Sequence, residues 1–196
     1  MQRTIFNTPL VAPLLRAVSL AWLRAGGWTI EGALPPGVGK CVVIAAPHTS
    51  NWDLPYTLAV GFALRLQPYW MGKRSIFSFP FGALMRWLGG IPVDRSKANN
   101  LVAASAAELR ASPDPVQLIV PPEGTRGATR QWKTGFYYIA LGAEVPILMG
   151  YLDFRTRRTG LGPVFRPTGD VERDMAAIKA FYAPMKGRNA TQFDVS

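Results

Sequence analysis

Short apolar runs alternate along the chain with segments of helical periodicity. Apolar runs, several of them rich in β-branched residues, predict strands at 41–46, 91–93, 116–120, 145–154 and 163–167, and residues 28–35 alternate as an edge strand does. Helices are predicted at 54–66, 96–111, after Gly135 and at 171–182, and the chain from Lys186 onward is expected to be frayed. This alternation predicts an α/β fold, a single domain with a largely parallel central sheet flanked by helices.

The first 27 residues predict an N-terminal amphipathic helix, ahead of a main domain at residues 28–196. On a helical wheel, apolar residues share one side and two arginines the other; the apolar side holds Val11, Leu14, Leu15, Val18, Ala21 and Trp22, and the polar side Arg16 and Arg24. Such a helix either lies in a membrane interface or packs on its own domain. The arginines leave no apolar run long enough to span a bilayer, and the small-residue cleavage pattern of a signal peptide is missing.

The net charge of +10 on 196 residues indicates a negatively charged partner. Nucleic acid, an anionic membrane surface and a phosphorylated substrate all fit that charge. Aromatic rings interleaved with basic residues between positions 67 and 96 are expected mostly in the core, although rings with cations also fit an anionic lipid surface. The single cysteine, Cys41, allows no internal disulfide, which suits the cytoplasm. One histidine and one cysteine offer no credible metal cluster, so no metal is expected.

The only histidine, His48, directly follows a buried strand, and Asp53 comes five residues later. On a straight strand or helix these two side chains would point apart, so they meet only if the chain turns between them. Thr49, Ser50 and Asn51 are turn and N-cap residues, which makes such a turn plausible. A carboxylate bonded to one ring nitrogen leaves the other free to take a proton. The alternative is a histidine that only caps a turn, beside an ordinary helix-start aspartate.

Three predicted strands are followed by polar pairs: His48 with Asp53, Asp94 with Arg95, and Glu123 with Arg126. In an open α/β sheet the carboxyl ends of parallel strands line one edge, where ligands bind. The sequence therefore predicts one site at that edge.

Four blocks of the sequence resemble the glycerolipid acyltransferases, the lysophosphatidate acyltransferase family. Residues 47–53, PHTSNWD, resemble its H-x4-D box, and GIPVDR at 90–95 its second block. PEGTR at 122–126 resembles the third block, and VPI at 145–147 the fourth. The order and rough spacing agree over about residues 28–151. Pro47 and Pro121 depart from the common form, which has asparagine and phenylalanine there.

The resemblance implies acyl transfer from a thioester to a lipid hydroxyl. His48 would be the general base and Asp53 would orient it, while backbone N–H groups at the helix start or a basic side chain would hold the oxyanion. Residues of the second and third blocks bind the acceptor's phosphate in that family; here they are Arg95, Glu123, Gly124, Thr125 and Arg126. Lys133 is a further phosphate candidate or a plain solvated lysine.

The sequence thus predicts an O-acyltransferase at the cytoplasmic side of a membrane, peripheral to it. Its co-substrate would be acyl-CoA or acyl-ACP, the latter making acyl carrier protein a partner, and no cofactor is implied. The expected acceptor is 1-acylglycerol-3-phosphate. The alternatives are another lysophospholipid, a glycolipid or an aminolipid as acceptor, or a non-catalytic basic module that binds lipid or nucleic acid. No nucleic-acid recognition motif is present, so we expect no nucleic-acid partner.

Overall fold

The computed structural model describes residues 3–93, 98–112, 115–124 and 132–193. A seven-stranded sheet with the order β1-β7-β6-β2-β5-β3-β4 forms its centre. The strands are β1 Thr29–Glu31, β2 Lys40–Ala46, β3 Pro68–Lys73, β4 Gly90–Val93, β5 Val116–Val120, β6 Ile147–Asp153 and β7 Arg158–Phe165. β6, β2, β5, β3 and β4 run parallel, whereas β7 is antiparallel to β6 and pairs in parallel with β1. The predicted largely parallel α/β sheet is confirmed.

Helices cover both faces of this sheet. They are α1 Val11–Ala25, α2 Asp53–Ala63, α3 Gly82–Trp87, α4 Ala98–Ala111, α5 Gly135–Ala143 and α6 Val171–Tyr182. α4, α5 and α6 pack against the face that carries Val42 and Ile44. The opposite face carries Val43 and Leu148, and α1 and α2 lie on that side. Because both faces of β2 are covered, its sequence is an almost continuous apolar run rather than an alternating one.

α1 packs antiparallel on α2. Trp22 stacks on Tyr56 at a ring-centroid distance of 4.6 Å, and at the other end Arg16 Nε donates to the Ala63 carbonyl at 3.3 Å. Leu23 is fully buried against α2. The apolar side predicted from the helical wheel is therefore divided. Part of it faces the domain, while Leu14, Val18 and Trp22 stay exposed, and Arg16 lies at the packed side, contrary to the wheel.

The sequence did not predict β3 or α3. β3 begins at a proline and contains a glycine, two residues that weaken a strand pattern, yet it lies between β5 and β4. The last strand was also misplaced, since β7 begins five residues before the predicted position 163. Among the described residues, no helix combines the length and apolar character that crossing a membrane would require.

Candidate active site

A tight turn joins the central strand β2 to α2 and brings His48 to Asp53. The buried Oδ2 of Asp53 accepts hydrogen bonds from the backbone N–H groups of Thr49 at 2.7 Å and Ser50 at 2.8 Å. His48 Nδ1 lies 3.3 Å from the same oxygen, with the two side chains 26% and 2% exposed. The histidine therefore turns Nδ1 toward the carboxylate, and Nε2 is the ring nitrogen left for a substrate.

Glu123 reaches the same turn from the neighbouring strand, β5. Its Oε1 accepts a hydrogen bond from the backbone N–H of His48 at 2.7 Å, and its side chain is 2% exposed. Burial raises the pKa of Glu123 from 4.5 to about 7, and the charge of Asp53 adds to the rise, whereas the bond from His48 opposes it. Oε2 is buried and has no hydrogen-bond partner among the described residues.

Gly124, the residue after Glu123, lies against the side chain of Lys133. Gly124 has φ +66°, and a Cβ there would lie 2.9 Å from both Cδ and Cε of Lys133. A glycine is therefore needed both for the backbone conformation and for the passage of the lysine side chain. The backbone N–H of Lys133 donates to the Pro122 carbonyl at 2.8 Å. The structure thus brings Glu123 to the turn that holds His48, and it brings Lys133 into contact with the neighbouring Gly124.

Three of the predicted phosphate ligands, Arg95, Thr125 and Arg126, lie outside the described residues. The strand that precedes Arg95 is β4, which is three positions from β2 in the sheet. At a strand spacing of about 4.8 Å, β4 ends roughly 14 Å to the side of β2. A role for Arg95 next to His48 stays a prediction.

A narrow, mostly apolar pocket begins at His48 and continues between α2 and the sheet. Its empty volume is about 530 Å³, including space open to solvent. Asp53, Thr57, Val60 and Gly61 line it from α2, a helix of 11 residues and thus roughly 16 Å long. The sheet and flanking segments contribute mainly apolar residues, among them Val43, Leu66, Pro68, Ile119, Leu152 and Leu161. The pocket is thus a mostly apolar space with one end at the histidine.

The backbone N–H groups that the sequence offered for an oxyanion are engaged by carboxylates. Glu123 takes the N–H of His48, and Asp53 takes those of Thr49 and Ser50. The Ser50 hydroxyl accepts from the backbone N–H of Trp52 at 3.2 Å, which is a turn contact. These three N–H groups are therefore engaged within the protein.

Cys41 is fully buried in β2, and burial raises its pKa to about 12, so it stays a thiol at neutral pH. In the part of the chain that the structure describes, no group of three or more His, Cys, Asp or Glu residues has a metal-binding arrangement.

The sequence missed a clamp formed by residues 187–189, in the segment expected to be frayed. Asn189 donates from Nδ2 to the Thr49 carbonyl at 2.8 Å and from its backbone N–H to the Thr49 hydroxyl at 3.2 Å. The guanidinium of Arg188 lies 5.0 Å from the ring centroid of Trp52. Gly187 packs directly on the Thr49 side chain. Nothing in the local pattern signals this, because the contacts join positions about 140 residues apart.

The fold and the turn thus place a histidine and two carboxyl groups at the carboxyl edge of an α/β sheet, the edge where such sheets bind ligands. Residues 29–149 match the model of the family described as Acyltransferase, and the chain belongs to that family. The fold is similar to the crystal structure of the 1-acyl-sn-glycerophosphate (LPA) acyltransferase PlsC from Thermotoga maritima. That similarity has a TM-score of 0.60 at 15% identity over 91% of this chain and 81% of the other. No curated protein matches the chain by sequence.

Gly187→Ala should destabilise the protein by about 1–3 kcal/mol, the usual cost of overpacking. The new Cβ would lie 2.7 Å from Thr49 Cγ2 and closer still to its hydroxyl, and no positive φ adds strain at this position. Urea unfolding measures the loss. Gly135→Ala is the matched control, because its Cβ meets only Val102 Cγ2 at 3.9 Å. Equal stability of the two variants would contradict the clamp.

Glu123→Gln should remove part of the pH dependence of stability. The pKa of Glu123 is raised to about 7 in the folded state, so the protonated carboxyl adds to the free energy of unfolding. This stabilisation is fully present below pH 4.5 and is lost as the pH rises through 7. A tenfold change in proton affinity equals about 1.4 kcal/mol, so the loss amounts to about 3 kcal/mol. Glutamine still accepts the bond from His48. Urea unfolding should show similar stabilities of both proteins near pH 4.5 and a glutamine variant that is about 3 kcal/mol more stable at pH 8, because only the wild type loses stability as the pH rises; a difference that does not change with pH would contradict the raised pKa.

Proposed function

We propose that this acyltransferase moves a fatty acyl group from acyl-CoA or acyl-ACP to the hydroxyl of a lysophospholipid, with 1-acylglycerol-3-phosphate as the main acceptor and phosphatidic acid as the product. The observation that carries the proposal is the placement of His48. Its Nδ1 faces a buried carboxylate, while the ring lines a mostly apolar pocket that continues along α2, to which we assign the acyl chain. The family match supports acyl transfer as the reaction.

In the proposed reaction, Nε2 of His48 takes the proton from the acceptor hydroxyl as its oxygen attacks the thioester carbonyl. Asp53 keeps the ring oriented and stabilises the imidazolium that forms. The tetrahedral intermediate collapses, the carbon–sulfur bond breaks, and the thiolate leaves with the proton that His48 returns. An ester replaces the thioester, so no acyl-enzyme and no cofactor are needed.

The two carboxylates take different roles in this proposal. Asp53 accepts two amide bonds and stays close to the imidazole. Glu123 holds the backbone of His48 with Oε1, and we assign to its buried Oε2, in the protonated form, the donation of a hydrogen bond to the oxygen of the acceptor hydroxyl. A buried carboxyl with no partner for one oxygen costs stability, and a substrate hydroxyl would satisfy it.

Cationic side chains would hold the acceptor's phosphate and the oxyanion. Lys133 lies against Gly124 at the edge of the site and is exposed. By the family resemblance, Arg95, Thr125 and Arg126 complete the phosphate site. Arginine suits this role because its planar fork matches phosphate oxygens in two bonds at once.

We further propose that the protein works at the cytoplasmic face of a membrane as a peripheral protein. α1 keeps an exposed row of Leu14, Val18 and Trp22 while its other side packs on α2. An apolar row with tryptophan fits the boundary between headgroups and acyl chains. The net charge of +10 favours an anionic surface.

His48→Ala should lower thiol release from acyl-CoA with lysophosphatidate by about 10²- to 10⁴-fold, the usual contribution of a general base. Circular dichroism should show an unchanged fold, because the side chain is partly exposed. Arg166→Ala, an exposed change that follows β7 at the opposite edge of the sheet, should leave the rate unchanged. If His48→Ala retains most of its turnover, the base lies elsewhere. Repeating the assay with other lysolipids and with glycerol phosphate identifies the acceptor.

Thr57→Phe should shift the enzyme toward shorter acyl donors. Thr57 lines the pocket one helical turn beyond Asp53, so a phenyl ring there would block the way toward Leu66 and Pro68. We expect kcat/KM for long-chain donors to fall at least tenfold relative to short-chain donors. Leu54→Phe changes an exposed position of the same helix and should leave the preference as it is. An unchanged preference in Thr57→Phe would mean that the acyl chain binds elsewhere.

A further inference from the structure

The loop between β3 and β4 exposes aromatic side chains at the edge of the sheet where the site lies. This aromatic loop, residues 74–86, begins after Lys73 at the carboxyl end of β3. β3 and β2 are parallel with β5 between them, so the loop leaves the sheet about 10 Å from the end of β2. Phe79 is 98% exposed and Phe81 63%, and Ile76 and Leu84 are exposed as well.

The exposure is specific, because the base of the same loop is firmly packed. Phe77 is 6% exposed, and its ring lies 5.8 Å from that of Trp70 and 5.7 Å from the guanidinium of Arg86. Gly90 gives it room, since a Cβ at that position would lie 2.7 Å from the Phe77 ring. The loop therefore has an anchored phenylalanine at its base and two phenylalanines that project from it. Loops that face only water seldom carry such rings in a group.

The charge around these rings has one sign. From Lys73 at the end of β3 to Val93 at the end of β4 the chain contains no aspartate or glutamate, yet it includes Lys73, Arg74 and Arg86. Arg74 and Arg86, on the loop itself, are exposed. Apolar tips flanked by cations match an anionic membrane, whose headgroups attract the cations while the rings enter the acyl region. Trp52 and Leu54 add exposed apolar side chains beside the His48 turn.

We propose that the aromatic loop inserts Phe79 and Phe81 into an anionic phospholipid bilayer and so holds the carboxyl edge of the sheet, with His48, against the membrane. This inference deepens the proposed function, because a lipid acceptor would then reach the histidine directly from the bilayer. It differs from the contact proposed for α1, which lies on the α2 side of the sheet. The loop and α1 together would fix the orientation of the enzyme on the surface.

Site-specific fluorescence tests the insertion without any substrate. The only native cysteine, Cys41, is fully buried, so a thiol at position 79 can be labelled alone. Phe79→Cys carrying the fluorophore NBD should show a blue shift and a several-fold rise in emission with mixed phosphatidylcholine–phosphatidylglycerol vesicles, and doxyl-labelled lipids should quench it. Val164→Cys, labelled alike at the amino edge of the sheet, should show neither change. A protein that sediments with the vesicles while position 79 stays in water overturns the proposal.

Substitution of the two rings separates this inference from the proposed function. Phe79→Ser/Phe81→Ser should partition into the anionic vesicles at least tenfold more weakly, whereas Val164→Ser should bind as the unchanged protein does. The double variant should keep thiol release with a short-chain, monomerically soluble lysophosphatidate and lose it with an acceptor embedded in vesicles. Equal binding and equal vesicle activity overturn the loop proposal and leave the acyl-transfer proposal standing. An emission change that follows protein concentration without vesicles would instead identify a second copy of the chain as the occupant and would also overturn it.

Discussion

The buried carboxylate of Asp53 is the group on which the site depends. One of its oxygens accepts two backbone N–H bonds from the turn that precedes it and also faces the ring of His48. Bonds to an ionised acceptor are stronger than neutral ones, and burial leaves this carboxylate no water to take their place. The same contacts end the strand, close the turn and start α2. The direction of the histidine therefore follows from the backbone geometry of the turn.

Two segments that are distant in the chain hold this turn from two sides. Glu123 binds the backbone of His48 from the side of β5, while Asn189 binds that of Thr49 beside the end of β6. A turn fixed by partners on both sides can keep the His48 side chain partly exposed and still restrict its movement. Such restriction suits a group that meets its ligand in one orientation. This arrangement engages the backbone N–H groups of His48, Thr49 and Ser50 with the two buried carboxyl groups.

The carboxyl edge of the sheet collects most of the features that point outward. The site, the projecting phenylalanines of the aromatic loop and the exposed Arg74 and Arg86 all lie there. The apolar pocket extends from this edge into the molecule along α2. The face of the sheet that α4, α5 and α6 cover buries a large core. Among the described residues, those helices expose few large apolar side chains. Surface and site are thus consistent with a lipid substrate that arrives from one direction.

Local pattern was sufficient for most elements, because a buried strand such as β2 and a periodic helix such as α6 are encoded by neighbouring residues. Spacing also indicated that His48 and Asp53 must meet across a turn, and the family blocks pointed to Glu123. Local pattern failed for β3, whose proline and glycine hide a strand that its neighbours β5 and β4 stabilise. Only the tertiary structure showed that Glu123 binds the backbone of His48, that residues 187–189 clamp the turn and that Phe77 is buried while Phe79 is not. These contacts join residues that are far apart in the chain. Burial depends on which strands lie side by side, and that order is not contained in any single stretch of sequence.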